Sequence, residues 1–220
     1  MKFRSVVITR HRGLLLLLLG VFAWSLCNVN WSGPIIHTGG SSSFLKLWLS
    51  LFPPDLSLDF LWIASKATWT TFTFAVMGIV LAILLGLPMG VIASGILFEQ
   101  SSSNRVPIII VFRGLLGGMR AVHELVWAVV LVVAIGLSPM AGIISLGIPY
   151  AGILGRIYAE LLQGTPRAPI DALKQTGASP LKILFYGYIP YLLPDMLSYT
   201  FYRFECSIRA AAILSFIGIQ

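Results

Sequence analysis

Charged residues are scarce in this chain: they account for 10% of its 220 residues, whereas hydrophobic residues account for 57%. Soluble domains carry about 25% charged residues, and the mean hydropathy of +0.90 points the same way. This composition excludes an ordinary soluble domain. The chain is therefore predicted to be an all-α integral membrane protein whose apolar helices contact the lipid bilayer.

Residue patterns for the common kinds of catalytic site are also lacking. The sequence contains no GxxxxGK[ST] phosphate-binding loop and no Gly-Lys dipeptide, so ATP hydrolysis by that mechanism is not expected. Its two cysteines, Cys27 and Cys206, lie in separate apolar segments and form no CxxC or Cys/His cluster. No HExxH motif or paired aspartates lie within the apolar runs, which disfavours an intramembrane enzyme. We expect no catalytic residues, no metal site and no cofactor on this chain.

Basic residues outnumber acidic ones, with 15 Lys and Arg against 8 Asp and Glu, which gives a net charge of +7. A surface for nucleic acid or anionic lipid would have this sign, but most of these residues lie in short segments between apolar runs. That distribution is typical of the topology signals of membrane proteins. No nucleic-acid partner is therefore expected.

The N-terminus carries four basic residues ahead of an apolar run that begins at Leu14. A cleaved signal peptide would look similar, but no small-x-small cleavage site follows, and Cys27 lacks the small residues of a lipoprotein site. The pattern therefore predicts a retained first membrane helix with a cytoplasmic N-terminus. The four basic residues are Lys2, Arg4, Arg10 and Arg12.

Further apolar runs approach the length of about 20 residues that a membrane helix needs. The predicted spans are residues 69–98, 125–137, 140–158 and 191–204, followed by a final apolar run from Ala210.

These spans divide the chain into two parts. Residues 1–68 are predicted to hold the first membrane helix, an external loop and an amphipathic surface segment at 44–52, and residues 69–220 to hold the membrane core. Counting crossings from a cytoplasmic N-terminus places two basic loops of the core inside. One holds Arg105, Arg113 and Arg120, and the other is residues 160–187, here called the elbow. The excess of basic residues in these two loops also predicts a cytoplasmic location, in agreement with the crossing count.

The elbow carries local signals for two short helices. Asp171 is predicted near the start of the first, where a carboxylate faces the positive end of the helix dipole, and Gly177 is predicted to end it. Ser179 followed by Pro180 is typical of a capping residue and the first residue of a second helix.

Three charged residues lie in or just beyond the last predicted span. If that helix begins near Tyr191, Arg203 lies about 18 Å along it, past the bilayer middle, where a charge is costly. Glu205 and Arg209 can pair at i, i+4, which leaves Arg203 without an obvious partner. Three explanations stay open. Arg203 binds an anion in a water-filled pathway, the charges form a structural ion network, or the helix ends at Phe204 and the charges lie at the external interface.

The elbow resembles the cytoplasmic loop of permease subunits of ATP-binding cassette (ABC) importers. That loop reads Glu-Ala-Ala, then Gly after three more residues, then Ile-x-Leu-Pro after nine more. This chain has Asp171-Ala172-Leu173, Gly177 and Ile189-Pro190 at the same spacing. It departs from the family in four residue types: Asp171 for Glu, Leu173 for Ala, Gly187 for Ile and Ile189 for Leu. By this resemblance the chain is a type I ABC importer transmembrane domain with about five to six spans. The elbow would be the coupling helix that docks on the ATPase, through Asp171, Ala172, Leu173, Gly177, Ala178 and Ser179.

A narrower resemblance is to the phosphonate transport permeases. Its last segment includes Tyr202-Arg203-Phe204-Glu205, where the family also reads Tyr-Arg-Phe-Glu, while His123, Pro149 and Ser207 stand where the family commonly has Pro, His and a nearby Asn. The four segments that carry the resemblance are Arg120 to Ala128, Gly136 to Gly142, Gly152 to Arg156 and Pro190 to Ala211.

This resemblance implies a permease of the bacterial inner membrane for phosphonate or a related phosphorus oxyanion. It also implies a second permease copy or homologue, an external solute-binding protein, and ATPase subunits that hold ATP and Mg. Arg203, Glu205 and Arg209 would line the translocation pathway. The alternatives are a permease for another solute, such as methionine or an inorganic oxyanion, and a noncatalytic truncated assembly subunit. The family continues past Gly218 into the rest of a last helix, so we expect an incomplete last span here.

Overall fold

A computed structural model of the protein describes residues 2–28, 40–50, 52, 54, 56–98 and 105–216. Regular structure in these ranges is helical throughout, which confirms the all-α prediction. The elements are α1 (Lys2–Asn28), α2 (Gly40–Ser50), α3 (Leu58–Ser94), α4 (Arg105–Ala121), α5 (Glu124–Ile135), α6 (Pro139–Gly164), α7 (Arg167–Gln175), α8 (Pro180–Ile183), a π-helical turn (Leu184–Tyr188) and α9 (Ile189–Phe216).

Two of the described helices, α3 and α6, are long and apolar enough to cross a membrane. Helices α4 and α5 pass the same test only together, as a pair bent by 88°, and supply a third span if the pair is one broken span. Helix α9 has 28 residues but carries recurring charged residues. The apolar part of α1, Gly13–Asn28, is shorter than a full span.

Two compact units divide the chain between Ser57 and Leu58. The sequence-based division at residue 68 falls inside α3, because that helix already begins at Leu58. In the first unit, α2 covers most of the predicted amphipathic segment, and the exposed rings of Phe44 and Trp48 stack with their centroids 6.2 Å apart.

The early start of α3 corrects the external loop predicted within residues 1–68, because the residues from Leu58 onward are helical. Polar residues there do not interrupt the helix, because their hydroxyls bond to its own backbone. Ser65, Thr68 and Thr70 each donate to a carbonyl oxygen three or four residues earlier, at 2.8 to 3.0 Å.

The separate, incomplete last span predicted from Ala210 is wrong, because these residues continue α9 as far as Phe216. Glu205 and Arg209 break the apolar pattern without breaking the helix. They lie one turn apart and pair at 3.5 Å on its surface.

The predicted loop with Arg105, Arg113 and Arg120 is also wrong, since all three residues lie in α4. Arg113 shows why basic residues did not mark a loop here: its Nε donates to the Ala93 carbonyl oxygen of α3 at 3.1 Å. An arginine on a packed helix can extend its apolar stem along the neighbouring helix while its polar end finds a partner.

Helix α6 lies at the centre of the second unit and packs closely on α3 through glycines. A Cβ at Gly86 would lie 2.8 Å from the Ala151 carbonyl oxygen, and a Cβ at Gly90 would collide with the Gly155 carbonyl oxygen. The two backbones are therefore in direct contact, as is common where small residues line a membrane helix interface.

Helix α9 is fastened to both of these helices by specific contacts. The hydroxyls of Tyr158 in α6 and Thr200 in α9 share a hydrogen bond of 2.6 Å. The buried Ser207 hydroxyl of α9 donates to the Ala75 carbonyl oxygen of α3 at 3.3 Å. The first bond fixes which residues of α9 lie beside α6, and the second fixes which lie beside α3.

Candidate functional site

The elbow folds as two short helices, α7 and α8, joined by a turn. Helix α7 begins at Arg167, so Asp171 is its fifth residue and the predicted position at the helix start is wrong. The earlier start is tolerated because Pro169 lies in the first turn, where the missing N–H would have no partner within the helix.

The end of α7 is as predicted. Gly177 has φ of +75°, in the left-handed region that favours glycine, and its N–H donates to the Lys174 carbonyl oxygen at 3.0 Å. Ser179 follows with extended backbone, and Pro180 is the first residue of α8. The Ser179 hydroxyl makes no capping bond, so it is not occupied by the local fold.

One face of α7 packs inward on the rest of the elbow. Ile170 is buried, and a Cβ at Gly187 would lie 2.8 Å from Leu173 Cδ1 and 3.2 Å from Ile170 Cδ1. Two of the four departures from the importer pattern therefore lie together, because Leu173 occupies the space beside Gly187. Leu173, which is also predicted to dock on the ATPase, is half-buried, and its Cδ1 lies beside Gly187.

An adjacent face of α7 is exposed. Asp171 and Lys174 pair at 3.6 Å there, with both side chains more than half exposed. Burial raises the pKa of the Tyr188 hydroxyl, and the Asp171 carboxylate raises it further. Of the six predicted docking residues, Asp171, Ala172, Gly177 and Ser179 are exposed and Ala178 is half-buried.

The elbow lies beside the last residues of α3 and the first residue of α4. Gln163 Nε2 donates to the Ser94 carbonyl oxygen at 2.8 Å and ties the end of α6 to the end of α3. A cavity of about 870 Å³ opens between these ends and the elbow, with Arg105, Arg167 and Lys174 among its lining residues. Gln163 carries no local pattern that predicts this contact, since a single glutamine near a helix end is common.

The charged residues of α9 lie beside the middle of α6. Because Thr200 contacts Tyr158, and the two helices run in opposite directions, residues after Thr200 lie beside residues before Tyr158. Arg203 and Arg209 are both close enough to Tyr150 to act electrostatically on its hydroxyl. This level is near the centre of the 26-residue α6.

Arg203 has a buried Nε with no hydrogen-bond partner in the described part of the chain. Its guanidinium carbon lies 5.4 Å from the centroid of the neighbouring Tyr202 ring. Glu205 and Arg209 pair with each other, as predicted, on an exposed face. The explanation in which the helix ends at Phe204 is wrong, because α9 continues to Phe216.

A third arginine reaches the same level of α6 from another helix. Arg120 is exposed near the end of α4, and a Cβ at Gly152 would lie 3.0 Å from its backbone nitrogen. A local pattern does not predict this position of Arg120, because the depth of a residue depends on which part of a distant helix it contacts.

The fold is similar to that of solved importer subunits. The structure of the MetNI methionine ABC transporter in an inward-facing conformation matches with a TM-score of 0.66 at 18% identity, over 74% of this chain and 78% of that one. An amino acid ABC transporter matches with a TM-score of 0.55 at 19% identity, over 74% and 78% of the two chains. The type I ABC importer fold is therefore confirmed, while the number of spans stays a prediction.

Sequence relatives are all transport permeases. HtxC of Stutzerimonas stutzeri, provisionally named a phosphite transport system permease, is 30% identical over 200 residues, which cover 89% of this chain and 66% of HtxC. The phosphite transport system permease PtxC of the same organism is 28% identical over 182 residues, 81% of this chain and 62% of PtxC. The phosphate-import permease PhnE of Mycolicibacterium smegmatis is 26% identical over 198 residues, 90% of this chain and 35% of PhnE.

The chain belongs to the ABC transporter permeases related to those for phosphite, phosphonate and phosphate. This permease spans about two thirds or less of the length of these relatives. No protein-family model matches it. Membership confirms that the chain is a multi-pass membrane permease subunit and not an enzyme.

Proposed function

We propose that this permease forms the translocation pathway of an ABC importer for phosphonate or a related phosphorus oxyanion, such as phosphite or a phosphate ester. The names of HtxC, PtxC and PhnE support this substrate class. ATP and Mg would be held by separate ATPase subunits, and a second permease copy or homologue would complete the pathway. An external solute-binding protein would deliver the anion, with the N-terminus of this chain in the cytoplasm and about five spans across the bacterial inner membrane.

The observation that carries this proposal is the unpartnered Arg203 Nε beside the middle of α6. A guanidinium is costly at mid-bilayer unless it faces a water-filled pathway or an opposite charge. The nearby carboxylate of Glu205 is already paired with Arg209. A tetrahedral oxyanion suits Arg203, because the planar guanidinium fork donates two parallel hydrogen bonds to neighbouring oxygens.

The elbow is the proposed contact with the ATPase. The residues that would dock on that subunit are Asp171, Ala172, Gly177, Ala178 and Ser179. The packing of Leu173 beside Gly187 would hold this docking face against the rest of the elbow. ATP binding would close the ATPase pair, move both elbows and rock the membrane helices so that the pathway opens outward. The motion reaches Arg203 directly, because the π-helical turn leads into α9 and Arg203 lies about 21 Å along that helix.

Changing Arg203 tests the substrate site. In proteoliposomes with the complete transporter, Arg203→Ala should lower phosphite and methylphosphonate uptake roughly 10- to 100-fold, the effect of losing a charge-assisted bidentate contact. Arg203→Lys should retain part of the uptake, because it keeps the charge and loses the fork. Normal apparent affinity in both variants would remove Arg203 from the pathway.

Crosslinking tests the ATPase contact. Cys27 and Cys206 are free cysteines, so both are first replaced by Ser and a single cysteine is introduced by Ala178→Cys. A photoreactive thiol label at this position should capture the ATPase subunit as a 1:1 adduct. The matched control, Ala93→Cys, lies at a fully buried position and should capture nothing. Labelling of Ala178→Cys only by reagents on the periplasmic side would contradict the proposed topology.

A further inference from the structure

We propose that Arg120, at the break between α4 and α5, is a second ligand for the transported oxyanion. This inference rests on the proposed function and adds a binding residue on a different helix from Arg203. It follows from the depth of Arg120, the form of the helix break and the balance of charge around it.

The contacts of α4 on α6 set the depth of Arg120. A Cβ at Gly152 would lie 2.7 Å from the Leu116 carbonyl oxygen and 3.0 Å from the Arg120 backbone nitrogen. Gly152 is near the middle of α6, which runs from Pro139 to Gly164 and is apolar enough to span a membrane. The end of α4 therefore reaches the level of the bilayer centre.

The chain turns sharply at that level. Helix α4 ends at Ala121, α5 begins at Glu124, and the two helices are bent by 88° relative to each other. The break is held by two bonds: the Leu125 N–H donates to His123 Nδ1 at 3.3 Å, and Trp127 Nε1 donates to the Met119 carbonyl oxygen at 3.4 Å. Non-helical backbone at membrane depth occurs where it is buried in protein or lines a water-filled cavity.

The charges at this level do not balance. Arg120, Arg203 and Arg209 supply three cations, and Glu205 is paired with Arg209. The remaining carboxylate, Glu124, lies 3.7 Å from His123 Nδ1, and the three cations still outnumber the two carboxylates. Neither Arg120 nor Arg203 forms an ion pair or a side-chain hydrogen bond within the ranges that the structure describes.

Two unpaired arginines thus reach the middle of α6, one from α4 and one from α9. Arg120 is exposed on the second unit, beside the break. A phosphorus oxyanion carries several acceptor oxygens, which the planar guanidinium fork of Arg120 can bind. A cationic fork favours an anion over a neutral or zwitterionic solute such as an amino acid.

The test uses the complete transporter in proteoliposomes, with phosphite, methylphosphonate and methionine as the probes. Arg120→Gln should lower uptake of both phosphorus anions roughly 10- to 100-fold, with unchanged copurification of the ATPase and unchanged ATPase stimulation by the binding protein. Arg120→Lys should fall between this variant and the wild type. The control is Arg156→Gln, which removes one exposed positive charge from α6 together with its surface ion pair to Glu160. Such a pair contributes little to stability, so uptake should stay within about twofold.

The outcomes separate the two proposals. If the wild-type transporter imports phosphite and Arg120→Gln does so equally well, the Arg120 inference is overturned and the proposed function stands. If the wild type imports neither phosphorus anion, the proposed function is contradicted, and the Arg120 inference falls with it. Equal losses in the Gln and Lys variants together with lost ATPase copurification would show a structural role and also overturn the inference.

Discussion

Replacing Gly90 with alanine is expected to lower the free energy of unfolding by about 3 kcal/mol, although alanine is the better helix former. The added Cβ would collide with the Gly155 carbonyl oxygen, which belongs to the α6 backbone and cannot rotate away. The two helices would have to separate, and their packing contacts would weaken along the whole interface. Thermal unfolding in detergent should show a midpoint lower by on the order of 10 °C.

Gly164→Ala is the matched control for this change. A Cβ at Gly164, the last residue of α6, meets nothing within 4 Å. The same substitution should therefore be neutral or stabilise by up to about 1 kcal/mol, through helix propensity alone. A Gly90→Ala protein as stable as the wild type would contradict the backbone contact between α3 and α6.

The second large effect is expected at the contact between Leu173 and Gly187. Gly187→Ile should destabilise the protein by about 2.5 kcal/mol, because its side chain needs the space that Leu173 Cδ1 occupies. Leu173→Ala should cost about 1.5 kcal/mol by leaving that space empty. The double variant should cost only about 1 kcal/mol, because the isoleucine then fills the vacated space, so the coupling energy is about 3 kcal/mol.

A double-mutant cycle in detergent measures this coupling directly. The control cycle pairs Gly187→Ile with Leu181→Ala, because Leu181 is exposed on α8 and is not among the atoms nearest a Cβ at Gly187. That pair should be additive within about 0.5 kcal/mol. Additivity of the two changes would show that the side chains at positions 173 and 187 do not compete for the same space.

The parts of the fold that sequence predicted well depend on local chemistry. Gly177 ends α7 and Pro180 begins α8 because backbone freedom and a missing donor act within a few residues. The composition likewise predicted membrane helices. In contrast, the end of α9 was missed because Glu205 and Arg209 interrupt hydropathy without interrupting helix geometry.

The parts that sequence missed depend on contacts between distant residues. Leu173 has the same local signals whether it faces a partner or Gly187, and only the packing of α7 on the π-helical turn decides between them. The depth of Arg120 likewise follows from its contact with Gly152, in a helix that begins 19 residues later in the chain, at Pro139.

The π-helical turn that joins α8 to α9 fixes the rotation of the elbow helices about the axis of α9. Such a turn holds one residue more than an α-helical turn would, and each residue of an α-helix advances the side chains by about 100°. Loss of one residue from Leu184–Tyr188 would swing the docking face of the elbow around the axis of α9 while Arg203 kept its place among its neighbours. The rotation of the proposed ATPase contact relative to Arg203, about the axis of α9, is therefore set by the number of residues in this five-residue turn.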